Sequence, residues 1–189
     1  GKNYELKGKS FDLMKLLDNV LDENNTKSSS IFKSLNSGVS VKIVKAYLDK
    51  VNYINNLSGY INFKNNNIDK LSLNSNFSNN KKLTLTINTN ENKEKITTFY
   101  SGYPKPLVQR YKFIKGFEEG VLDFYSIKKD NISNSVLKID KFKVQEVPVL
   151  AKLLTLASLQ GIADLLTGEG IRFSNLEMKF SNKKNLTII

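Results

Sequence analysis

From Gly38 onward the chain reads in twos, and this constrains its fold more than any other feature. Val39, Val41 and Ile43 alternate with polar neighbours, as do Ile61 and Phe63, Leu71 and Leu73 with Phe77, and Leu83, Leu85 and Ile87. Successive side chains of a strand point to opposite faces, so each run places its apolar set on one side. Between the runs stand Asn55-Asn56, Asn65-Asn66-Asn67 and Asn79-Asn80, residues that favour turns. Strands about 8–12 residues apart with turn residues between them predict an antiparallel meander. One face is apolar and the other carries Ser, Thr, Asn and Lys, as expected of a sheet with one solvated side.

The alternation slips at several places. After Ile43 it moves to Val44, Ala46 and Leu48, as a bulge would make it. Leu137 and Ile139 shift likewise to Phe142 and Val144, and Ile171 and Phe173 shift to Leu176, Met178 and Phe180. Ile96 and Phe99 belong to a further strand, as do Leu122 and Phe124.

Helical spacing occurs in three stretches. Ser10 is a suitable cap for a first helix carrying Leu13, Leu16, Leu17, Val20 and Leu21 on one side. Pro104 and Pro106 open a short second helix with Leu107, Val108, Tyr111 and Ile114 on one side, and Gly116 and Gly120 bracket its exit. Val147 to Phe173 is the densest in Leu. There Pro148 precedes Leu150, Leu153, Leu154 and Ala157, and Ser158 caps a second turn of chain bearing Leu159, Ile162, Leu165 and Leu166. Burying about ten such side chains is worth on the order of 15–30 kcal/mol before chain entropy is charged. The run is long enough to span a bilayer, but Lys152, Gln160, Gly161 and Asp164 lie inside it. A helix pair folded onto the protein is therefore the expectation, with a membrane-surface hairpin as its alternative.

These readings predict a mainly β, β-rich α+β chain with three or four short helices, without a sharp domain boundary. Residues 1–36 form a helix and loop, 37–146 strands with a short helix, 147–168 the helix pair, and 169–189 further strands. The chain starts at Gly1 without Met and ends on the alternating Leu186-Thr187-Ile188-Ile189, which is expected of a segment of a longer protein.

Composition narrows the chemistry. Among 189 residues there is no Cys, His or Trp, which removes disulfides, thiolate metal sites and the commonest general base and metal ligand. The net charge of +11 comes from Lys scattered among Asn and Ile, with only Arg110 and Arg172 as guanidinium groups. A nucleic-acid surface clusters its charge and uses Arg, so nucleic acid is not an expected partner, while weak attraction to anionic lipid headgroups is compatible. Glu118-Glu119 is the tightest acidic pair and reads as solvated, and Asp164 reads as a partner for Arg172. Gly168-Glu169-Gly170 ends a helix instead of opening one, so its dipole is wrongly directed for a phosphate loop. No catalytic site, metal cluster or cofactor site is expected.

Several blocks resemble one family. Val147-Pro148-Val149-Leu150-Ala151-Lys152-Leu153-Leu154, then Ser158-Leu159-Gln160-Gly161-Ile162, then Leu165-Leu166-Thr167-Gly168-Glu169-Gly170-Ile171-Arg172-Phe173, looks like the hallmark of AsmA-like proteins of the YhdP type, a wider group that includes TamB. Phe99-Tyr100-Ser101-Gly102, Leu107 and the Gly116–Leu122 turn resemble a second block of the family. The family often has an acidic residue before that Gly, where Tyr100 and Ser101 stand here. The resemblance covers residues 99–180. It implies a bridge-like phospholipid carrier of the Gram-negative envelope, anchored in the inner membrane and crossing the periplasm, with a bent sheet forming an apolar groove for acyl chains. It implies no catalytic residue.

Three short helices are too few to cover so many strands, so part of the apolar face is expected to remain an open groove. Its candidate lining is Val39, Val41, Ile61, Phe63, Leu71, Leu73, Leu83, Leu85 and Ile87. The expected partners are phospholipid acyl chains, the membrane through other parts of the parent, and envelope proteins. The alternative is a non-catalytic scaffold whose apolar face is ordinary core and whose surface binds other proteins.

Overall fold

Alternation does produce strands over most of the described residues. The computed structural model describes residues 2–14, 36–65, 67–110, 114–145, 170–183 and 186–188. Their strands are β1 (Lys2–Asp12), β2 (Ser37–Tyr47), β3 (Tyr53–Lys64), β4 (Asn67–Asn76), β5 (Lys82–Thr89), β6 (Lys95–Ser101), β7 (Phe117–Lys129), β8 (Ile132–Val144), β9 (Ile171–Lys183) and β10 (Leu186–Ile188). They form a single ten-stranded sheet in simple sequence order, and the sheet is not closed. β2 to β10 pair antiparallel, as expected of a meander, whereas β1 pairs parallel with β2.

Asn and Asp make the reversals. Their short polar side chains tolerate the left-handed conformation and bond the backbone nearby. Asn65 turns β3 into β4 at φ 49°, Asn80 turns β4 into β5 at φ 60°, and Asp130 turns β7 into β8 at φ 53°. Between β2 and β3 the Asp49 carboxylate accepts from the backbone N–H groups of Val51 and Asn52 at 2.8 and 2.7 Å. That turn, not Asn55-Asn56, closes the β2–β3 hairpin; Asn55 and Asn56 lie inside β3.

The registers align the buried side chains into rows running across the sheet. One row is Ile43, Leu57, Ser75, Leu83, Ser101, Leu122, Ile139 and Leu176. The next is Leu6, Val41, Gly59, Leu73, Leu85, Phe99, Phe124, Leu137 and Met178. A third is Tyr4, Val39, Ile61, Leu71, Ile87, Thr97, Ser126, Ser135 and Phe180.

Beyond the first row the buried positions change parity, as the slips in the sequence suggest. On β8 the buried set passes from Ile139 to Phe142 and Val144, with Lys141 between them at φ 52°. On β2 it passes from Ile43 to Ala46 and Leu48, leaving Val44 exposed. Asn56 in β3 and Glu119 and Gly120 in β7 have positive φ on the same two lines. The β1–β2, β2–β3, β7–β8 and β8–β9 registers run unshifted through these lines, so neighbouring strands change parity together without the extra residue of a bulge; the register shift nearby lies between β3 and β4, at Asn55–Ser58. Gly120 is needed there: at φ +85° a Cβ would stand 2.9 Å from Phe142 Cβ.

The re-aimed end belongs to the same buried cluster as the apolar rows. Phe142 stacks between Phe117 and Phe173, with ring centroids at 5.6 and 4.9 Å. Helix α1 (Lys105–Arg110) buries Pro106, Leu107 and Val108 against it. The Arg110 guanidinium donates to the carbonyls of Leu48 and Met14, tying α1 to the β2–β3 turn and the end of β1.

The helix readings need correction. α1 is the one helix of any length among the described residues, so three or four helices are not supported. The helix expected from Ser10 does not start there, because Lys2–Asp12 is a strand laddered to β2. Asp12, not Ser10, bonds a following N–H, that of Met14 at 2.8 Å. Leu16 to Leu21 and the helix pair of residues 147–168 lie outside the described residues. No helix among the described residues is long and apolar enough to cross a membrane.

Candidate functional site: the apolar face of the sheet

The nine residues proposed from sequence do fall on one face. Val39 and Val41 on β2 lie beside Ile61 and Phe63 on β3, then Leu71 and Leu73 on β4, and Leu83, Leu85 and Ile87 on β5. Eight of them are 2–9 % exposed, and Val39 is half-buried. This part of the face is core-like in its burial.

The same face is more open towards both edges. Tyr4 and Leu6 on β1 are 48 % and 38 % exposed. On β7 to β9, Phe124, Leu137, Leu176, Met178 and Phe180 are half-buried, with the Phe124 and Phe180 rings at 6.4 Å. Sequence reading placed these residues on strands but left them out of the lining. Its list stopped at Ile87, whereas the registers continue the rows across four more strands.

The apolar rows end in a polar one. Thr89, Lys95, Lys128, Ser133 and Asn182 are cross-strand partners beyond the Ile87–Phe180 row, with Ser133 almost fully buried. In the adjoining row Ser135 donates to Ser126 at 2.9 Å, both hydroxyls buried. Ser101 and Ser37, buried on the same face, have hydroxyl oxygens with no hydrogen-bond partner.

The opposite face is polar and carries two hollows. One of about 660 Å³ lies over β5–β9, walled by Thr98, Tyr100, Asp123, Tyr125, Lys138 and Lys179. The other, about 430 Å³, lies beside Lys7, Lys9, Lys42 and the exposed Val44. Burial pushes the Asp123 carboxyl pKa up and nearby Asp140 adds to this, against the opposing pull of Lys138.

The adjacent Glu118 and Glu119 turn to different partners. Glu118 accepts from Lys105 Nζ at 2.5 and 2.7 Å, while the adjacent Glu119 accepts from Arg172 at 2.9 Å. Arg172 is thus engaged by Glu119; Asp164, its expected partner, lies outside the described residues. Among the described residues no group of acidic side chains is arranged to hold a metal ion.

No family model, no curated protein and no solved structure matches the chain.

Proposed function

We propose that this chain is part of an envelope-spanning AsmA-like protein that carries phospholipid between the inner and outer membranes, and that acyl chains travel along the apolar face of its sheet. The observation that carries the reading is one unclosed sheet whose strands, in sequence order, line up their apolar side chains into continuous rows. Three apolar rows two residues apart span about 13 Å along the strands, close to the about 15 Å that the acyl chains of one leaflet occupy in a bilayer. The resemblance over residues 99–180 supplies the compartment and the anchor: a periplasmic segment of an inner-membrane protein. The half-buried side chains on β7–β9 and the exposed ones on β1 are the places where a chain enters. Binding there comes from apolar area, at about 25 cal/mol per Å² removed from water. The protein has no catalytic role in this reading.

The alternative is a non-catalytic scaffold in the envelope. It is favoured by the burial of eight of the nine β2–β5 lining residues to 9 % exposure or less, which is how an ordinary core looks.

Extraction of fluorescent phospholipid from donor vesicles by the purified chain separates the two. The carrier reading expects extraction, reduced at least fivefold by Leu137→Glu on the apolar face and unchanged by Val136→Glu beside it on the polar face. No extraction, or equal loss in both variants, leaves the scaffold.

A further inference from the structure

We infer that β1 is a dimerisation edge, at which two copies of the chain pair their β1 strands antiparallel about a two-fold axis at Leu6. The inference is independent of the carrier reading, because it concerns the backbone edge of the sheet and not what travels over its face.

β1 is the terminal strand of the sheet, and among the described residues it pairs only with β2. It runs for eleven residues without Pro or a shift of register, and nearly all its side chains are exposed. Ser40 Oγ donates to the Tyr4 carbonyl at 3.5 Å, which turns that carbonyl toward β2. Backbone groups alternate sides along a strand, so Asn3, Glu5, Lys7 and Lys9 aim their N–H and C=O groups outward. Among the described residues nothing bonds to these outward groups. A strand edge of this kind is a template for another strand.

The side chains of β1 select β1 itself as the partner. With Leu6 opposite Leu6 of the second copy, Glu5 faces Lys7, Tyr4 faces Gly8 and Asn3 faces Lys9. Directly opposed residues share a face, so each Glu5–Lys7 pair lies on the polar face and attracts. Sliding the strands by two residues sets Glu5 against Glu5 in one direction and Lys7 against Lys7 in the other. Sliding by one opposes the two faces of the sheet. The charges therefore favour one register. They also relieve a conflict within the single chain, where Lys7 and Lys42 are direct cross-strand partners and Glu5 reaches only Lys42, at 3.7 Å. In the dimer Glu5 of the second copy stands beside Lys7. On the apolar face the Val41–Leu6 row runs on into the same row of the second copy, covering a side chain that is 38 % exposed. Tyr4 comes to lie across from Gly8, an edge glycine beside an aromatic ring. The other edge strand, β10, has only three residues and offers β1 a much shorter ladder.

The test measures the mass of the whole chain by sedimentation equilibrium over a range of concentrations. The parent is expected to reach twice the 21.4 kDa of one chain and no more. Glu5→Lys and Lys7→Glu each set like charges opposite one another twice, because the interface is isologous, and each should weaken dimerisation at least tenfold. Glu5→Lys/Lys7→Glu exchanges the charges and should restore the dimer, while circular dichroism checks that each variant keeps its strands. The chain has no Cys, so Leu6→Cys tests the register. On the axis its Cα would lie about 4.5 Å from its copy, within disulfide reach, and mild oxidation should link the dimer. Tyr60→Cys, exposed on the polar face of β3, should not link. The proposal is overturned if the parent stays at the single-chain mass, if an open series of larger masses forms, if the exchanged pair fails to restore the dimer, or if Leu6→Cys links no better than Tyr60→Cys.

Discussion

Phe142→Ala tests the packing at the re-aimed end of the sheet. Phe142 is 1 % exposed and stacks between Phe117 and Phe173, with interplanar angles of 18° and 9°. Truncating a buried Phe to Ala costs about 3–5 kcal/mol through lost transfer free energy and the cavity left behind. Two ring contacts add about 0.5–1.5 kcal/mol each, partly counted already. The site has little freedom to collapse, because Gly120 and Lys141 hold the strands beside it at positive φ within unshifted ladders. The expected loss is therefore about 4–5 kcal/mol, and at about 2–4 °C per kcal/mol for a chain of this size the melting temperature falls by roughly 10–20 °C. Urea titration with circular dichroism reads the free energy directly, and Phe142→Leu, which refills most of the volume, should recover more than half of it. A loss below about 1 kcal/mol in the Ala variant, against the usual range for core truncations, would mean that Phe142 is not packed between the two rings and that the parity change at Lys141 is misread.

Other consequences follow from single residues. Gly59, at φ +148°, would place a Cβ 1.8 Å from the Ser72 carbonyl, so Gly59→Ala should cost more than about 2 kcal/mol by denaturant titration, while Gly8→Ala, with its nearest neighbour at 3.5 Å, should stay within about 1 kcal/mol. Asp123 holds its proton more tightly when folded, so its carboxylate lowers stability as pH rises through the window from its unfolded value to the raised one. Asp123→Asn should accordingly stabilise the chain at pH 7, and the gain should vanish below about pH 3, where both states are protonated. Asp49 behaves oppositely. Burial alone would raise its pKa, but the Asn52 side chain, the backbone N–H groups of Asn52 and Val51, and Arg110 outweigh it and lower the value. Its contribution is present above the unfolded value and is lost as pH falls through the folded one, so Asp49→Asn should destabilise at pH 7 and be neutral in strong acid.

Much of the sheet was legible because burial on one face forces a period of two. The slip from Ile139 to Phe142 is legible along the chain as a change of parity, and Lys141 carries it at positive φ without a shift of register. β1 was not legible. It lies at an edge with both faces mostly exposed, so only Tyr4 and Leu6 alternate, and the stronger helical spacing from Leu13 to Leu21 drew the boundary too early. Asn55-Asn56 looked like a turn because Asn favours positive φ, yet Asn56 uses that freedom for a bulge inside β3. The polar row was beyond sequence reading, since nothing along the chain says that Lys95 faces Lys128; only the β6–β7 register does. The half-buried Phe124, Leu137 and Met178 were missed for a related reason: alternation gives the face, and three-dimensional cover decides how open each part of it is.

The most direct measurement is photo-crosslinking in cells. Crosslinkers at Leu73, Leu85 and Ile87 point to the apolar face, and those at Ser72, Thr84 and Thr86 point to the other face of the same strands. The protein is expressed with one crosslinker at a time, irradiated and analysed for covalently attached lipid. Phospholipid captured at the first three positions and absent from the second three is the predicted result. Equal labelling of both sets, or labelling of neither, would contradict acyl-chain passage along this face.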